Sequence, residues 1–203
     1  NQPSENDRKR WVWELIQNAK DSIAAAPDRT SVDIEIEING NIVKFIHNGA
    51  PFTYKARLAL LYKYSEDKGG AESTGRFGTG FLTTHCLSKI VSIEGDVIDN
   101  NSVHGFSVTI FRNGQSDKEL LDGIKKMEDS EKWYQNAFGK TTFTYIVQTD
   151  DPGRDSIIKG TDNFYANIAQ TLLFCSEIGK ISINDNGNLT EIIRLERDVI
   201  LSD

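Results

Sequence analysis

Residues 31–46 read SVDIEIEINGNIVKFI, and this stretch limits the fold more than any other. Val32, Ile34, Ile36 and Ile38 alternate with Asp33, Glu35 and Glu37 at a period of two, so one row is apolar and the other charged. Such a strand shows one face to a core and the other to water. Asn39-Gly40 then makes a tight turn and NIVKFI returns, which predicts a β-hairpin. A hairpin with one apolar face belongs to an antiparallel sheet that something must cover on that face.

The covering elements are helices. Trp11, Val12, Leu15, Ile16, Ala19 and Ile23 recur at helical spacing, which predicts a helix over about residues 6–26, stopped by Pro27. A second helix is expected over about 54–64, and a glycine-rich turn at 75–87 is expected to run into a third. A charged amphipathic helix is expected over 117–136, with Leu120, Leu121, Ile124 and Met127 on its inner face. Asp162 is placed to cap a last helix running through Ile178 and stopped by Gly179. The runs KIVSIEGDV, VHGFSVTIF and TTFTYIV supply strands, and Asn186-Gly187 turns a final hairpin. Helices and hairpins interleave in a chain of one-domain length. The expected architecture is therefore α+β: a two-layer sandwich with a mostly antiparallel sheet covered on one face, formed by residues 1–203 as one domain.

Composition removes several classes of function. With 30 acidic and 23 basic side chains the formal charge is −7, which opposes non-specific binding to nucleic acid. Cys86 and Cys175 form no CxxC pair, so neither a disulfide framework nor a zinc site is expected. Nothing approaches the roughly 20 apolar residues of a membrane span, and the opening NQPSENDRKRW lacks a signal-peptide core. A cytoplasmic chain is expected. The absence of an initiating Met suggests a piece excised from a longer chain, and it is expected to be that chain's N-terminal part.

Three segments carry chemistry. In WELIQNAKDS, Glu14, Asn18 and Asp21 stand at i, i+4 and i+7, along one stripe of the first helix. A carboxylate beside an amide oxygen suits a hard cation such as Mg²⁺, which prefers oxygen ligands and keeps waters. A solvated polar stripe is the competing reading. The second segment, HNGAPF, ends a strand on His47, Asn48 and Gly49, where glycine permits a turn or a close approach. In the third, STGRFGTGF, Gly75, Gly78 and Gly80 open a helix, and successive amides there cradle an anion. The βαβ unit with an acidic residue further on that a dinucleotide fingerprint needs is missing, and no Gly-Lys-Ser/Thr completes a P-loop.

In this order the three segments resemble the boxes of the GHKL ATPase superfamily, which includes gyrase B subunits, the ninety-kilodalton heat-shock chaperones, histidine kinases and MutL. ELIQNAKDS looks like the N box, HNGAPF like the first glycine box and GRFGTGF like the second. The second glycine box is nearest the chaperone form, and HNGAPFT is more like the sacsin-type branch. The resemblance implies the Bergerat ATP-binding fold, with ATP and Mg²⁺ as cofactors. It implies Glu14 as general base, Asn18 as metal ligand and Asp21 near the nucleotide sugar. Gly75, Arg76, Phe77, Gly78, Thr79, Gly80 and Phe81 would form the phosphate-facing turn, with Lys68 as a further phosphate contact. Residues 65–74 would be the ATP lid. Thr141 matches the threonine that holds adenine through water, with Thr142 as the competing register.

One position departs from the superfamily pattern. Where an aspartate usually accepts a hydrogen bond from the adenine amino group, this chain has His47. A neutral imidazole could accept through one nitrogen, Asn48 could substitute through its amide oxygen, or backbone and water could read the base. No Lys or Arg from a following domain is on hand for the phosphates, so slow hydrolysis is expected. The implied partners are ATP, downstream domains of the same protein and a second copy in an ATP-dependent homodimer. Protein phosphotransfer and a degenerate, non-catalytic module are the alternatives.

Overall fold

The computed structural model describes residues 4–24, 29–62, 79–100, 102–148 and 152–193. The chain opens with helix α1 (Glu5–Ile23), whose start is fixed by a capping box. Ser4 Oγ accepts from the Asp7 N–H while the Asp7 carboxylate accepts from the Ser4 N–H, which satisfies donors that a helix start leaves orphaned. The hairpin follows as β1 (Val32–Asn39) and β2 (Ile42–His47). Its two-residue loop is Gly40-Asn41, one position later than expected, because Asn39 still pairs with Ile42 and Gly40 takes the positive φ of +58°. After β3 (Phe52–Thr53) come α2 (Tyr54–Tyr62), α3 (Thr79–Thr83) and a 3₁₀ turn over Thr84–Cys86. The rest runs β4 (Ile90–Asp99), β5 (Ser102–Phe111), α4 (Asp117–Ser130), β6 (Lys132–Tyr134), β7 (Thr141–Ile146), α5 (Pro152–Phe174), β8 (Ile178–Asp185) and β9 (Asn188–Ile193).

Among the described residues the strands form one sheet in the order β6-β5-β4-β7-β2-β1-β8-β9, with β3 pairing alongside β4. Pairing is antiparallel except for β1–β8 and β3–β4. The registers align one apolar row across six strands: Val108, Ile93, Phe143, Phe45, Ile36 and Ile183. All six are buried. Their neighbours in sequence carry Glu35, Glu37, Lys44, Ser92, Glu94 and Thr109 to the other face, where Lys44 pairs with Glu37 at 3.3 Å. The fold is thus a two-layer α+β sandwich with a mostly antiparallel sheet, as the alternation in β1 implies.

Helices α1 and α5 lie side by side in the covering layer. Trp11 is fully buried, and its Nε1–H donates to the Ser156 carbonyl at 2.8 Å. Trp13 packs against Phe164 and Arg8 pairs with Asp155 at 2.6 Å. Both cysteines are free. No helix among the described residues is long and apolar enough to cross a membrane.

Three expectations about helices need correction. Helix α4 ends at Ser130, not at residue 136, because Glu131 turns extended and Lys132–Tyr134 join the edge of β5. Of its apolar stripe, Met127 is buried whereas Leu120, Leu121 and Ile124 are 43%, 66% and 42% exposed. This helix lies along a sheet edge, with Gly123 against the Phe111 carbonyl, and an edge covers a narrower stripe than a sheet face does. Finally, α5 begins at Pro152, a residue suited to a first helical turn, so Asp162 lies mid-helix and Ile178 opens a strand.

Candidate functional site

The first and third motifs meet. Glu14 projects from α1 toward the start of α3, where a Cβ on Gly80 would overlap Glu14 Oε2. Only glycine lets the α3 backbone come this close to the carboxylate. The other oxygen, Oε1, accepts from Arg10 Nη2 at 2.5 Å, one helical turn earlier. Arg10 did not stand out in the sequence, although its i,i+4 spacing to Glu14 is a readable signal.

The second motif meets the same helix two turns further on. A Cβ on Gly49 would overlap Ser22 Oγ. Glu14, Asn18 and Ser22 therefore form an i, i+4, i+8 stripe whose two ends are each sealed against a glycine. Asp21, one position before Ser22, accepts at Oδ1 from Gln17 Nε2 at 2.6 Å on the helix surface. Between the sealed ends, the Asn18 Nδ2 is buried and has no hydrogen-bond partner among the described residues. A buried amide donor without a partner costs about 1–3 kcal/mol, which a ligand's oxygen would relieve.

His47 ends β2 on the helix-covered face, opposite Thr141 of β7 and Ile34 of β1. It is 5% exposed, and its ring stacks near Phe143 at 6.4 Å. Phe81, from α3, packs against Phe143 at 5.7 Å, so an aromatic chain joins the third motif to His47. Burial pushes the His47 pKa down to about 4, and its Nδ1 accepts the Gly49 N–H at 3.1 Å. Thr141 is buried beside Gly95 of β4, whose Cβ position lies 3.2 Å from Thr141 Oγ1. Thr142 points to the face opposite that of His47 and Thr141.

Asn48 turns away from His47. Its Oδ1 accepts from the Asp33 N–H at 2.8 Å and its backbone N–H donates to the Asp33 carbonyl at 3.2 Å. Phe81 is 2% exposed and belongs to the core. Thr79 opens α3 beside Gly80. Lys68, Gly75, Arg76, Phe77 and Gly78, and with them the expected lid at 65–74, lie outside the described residues.

Two observations bear on Mg²⁺ and a triphosphate: the unpartnered Asn18 Nδ2–H fits a phosphate oxygen and leaves Oδ1 for a cation, and a glycine lets the start of α3 lie against Glu14. Among the described residues no three His, Cys, Asp or Glu side chains converge, so a cation here would be held by Asn18, phosphate oxygens and water. The roughly 650 Å³ cavity between the β1–β2 turn and α5, lined by Arg154, Asp162 and Asp185 among others, contains none of these residues. A search of protein-family models and a search of curated proteins each return no match to this chain.

Proposed function

We propose that the chain is a Mg²⁺-dependent ATP-binding and hydrolysing domain of the GHKL type, acting within a larger chaperone-like or defence-type protein. The supporting observation is the meeting of Glu14 with Gly80, which joins two motifs far apart in sequence at one point. Glu14 Oε2 lies against Gly80 of α3 and would take a proton from the water attacking the terminal phosphate. Arg10 restrains Oε1 and so orients the carboxylate. Asn18 would bind the cation, whose charge, when present, offsets that of the phosphates. His47 and Thr141 would meet the base, and closure of the lid would couple the nucleotide to downstream domains or to a second copy. Hydrolysis by residues 1–203 on their own is expected to be slow where a basic side chain from elsewhere must complete the charge on the phosphates.

Calorimetry with Mg-ATP, followed by phosphate release, tests this reading. Binding with measurable heat is expected, and Glu14→Ala should retain binding while losing turnover. No heat and no thermal shift would end the proposal; unchanged turnover in the variant would remove Glu14 from its role.

A further inference from the structure

Where the superfamily's aspartate would meet the base, this chain has no carboxylate. Two groups could replace the missing carboxylate, and both are already engaged. The His47 Nδ1 accepts the Gly49 N–H at 3.1 Å, and the Asn48 Oδ1 accepts the Asp33 N–H at 2.8 Å. A neutral imidazole that accepts at Nδ1 carries its single proton on Nε2, where it can only donate. The ring is buried and therefore neutral at pH 7, and its one side-chain hydrogen bond to the described residues is the one at Nδ1. A carboxylate at this place would offer acceptors only; His47 offers one donor.

We propose that His47 reads the base through its Nε2–H, so that the pocket prefers 6-oxopurine nucleotides, inosine and guanosine triphosphate, over ATP. The proposal rests on the nucleoside-triphosphate reading above and changes only the base. Position 6 of adenine carries an amino donor, whereas guanine and hypoxanthine carry an oxygen acceptor there. Opposed donors in a buried site leave both unsatisfied, and such mismatches separate ligands strongly. The Thr141 hydroxyl does not reverse this preference, because it can donate or accept.

The test is calorimetry of the chain with Mg²⁺ and, in turn, ATP, inosine triphosphate and purine-riboside triphosphate, which has only hydrogen at position 6. Inosine triphosphate should bind about tenfold tighter than ATP, with the purine riboside between them. In His47→Asp one carboxylate oxygen can keep the Gly49 N–H while the other faces the base, so the order should invert in favour of ATP. ATP binding tighter than inosine triphosphate in the wild type would overturn the proposal. So would a folded His47→Asp protein that keeps the wild-type order. The three nucleotides compared on the wild type decide the matter even where the variant does not fold. If none of the three binds, the nucleotide reading itself falls, and this inference with it.

Discussion

Replacing Gly80 by alanine separates the stability of this fold from its chemistry. The added Cβ would lie about 1 Å inside the 3.4 Å at which ordinary van der Waals contact with Glu14 Oε2 begins. The obstructing atom is the far end of a flexible side chain, so the carboxylate swings aside and the backbone stays put. Alanine also favours the helix over glycine by roughly 0.5–1 kcal/mol, which offsets the small cost of moving Glu14. The melting temperature should therefore change by no more than a few degrees. Turnover should not be spared. A general base moved by about 1 Å from its working position loses on the order of 10²-fold in rate, or about 2.7 kcal/mol of barrier. Phosphate release at saturating Mg-ATP, a calorimetric affinity and a thermal melt on the same preparation read all three quantities. The expected pattern is an unchanged melt, an affinity within a few-fold and a turnover down by about two orders of magnitude. A variant that turns over within twofold of the wild type would refute the assignment of Glu14 to the reacting water. A melting point lowered by ten degrees or more would refute the claim that the overlap is relieved locally.

Two further outcomes follow from packing and from burial. Gly160→Ala should cost about 2–4 kcal/mol, because its Cβ would overlap the rigid, fully buried Trp11 indole, which also donates to the Ser156 carbonyl; an unchanged urea midpoint would contradict this. His47 makes stability depend on acid: its pKa falls from 6.5 to about 4 on folding, so below about pH 6.5 the unfolded chain takes up a proton that the native chain refuses. Its contribution is thus complete above pH 6.5 and declines as pH falls toward 4, by about 2 kcal/mol at pH 5. Urea midpoints of wild type and His47→Gln at pH 7 and 5 measure this, and a difference between them that stays constant with pH would contradict it.

What could be read in advance, and what could not, divides along the range of the interactions. Alternation along β1 determines which side chains enter the core, because a strand's period of two is a local property of its backbone. The Asn186-Gly187 turn was equally local, and both residues take the positive φ that such a turn requires. Strand β6 was not readable, since its three residues are held by distant groups. Trp133 lies over the Arg57 guanidinium at 4.7 Å, and Arg57 in turn pairs with Glu131. A helical pattern through residue 136 carries no sign of that arrangement. The same division runs through the candidate site. The polar stripe of α1 was legible from spacing alone, but spacing left Asp21 and Ser22 as near neighbours on the helix. The choice between them depends on where the turn after β2 approaches α1, which only the folded chain decides. His47 shows the division within one residue. Its identity marks a departure from the aspartate pattern, yet its consequence depends on which ring nitrogen is engaged. The backbone N–H of Gly49 engages Nδ1, and this contact two residues away turns a possible acceptor into a donor. A glycine that admits a close approach can therefore also set the hydrogen-bonding sense of its neighbour, and through it the base this pocket would select.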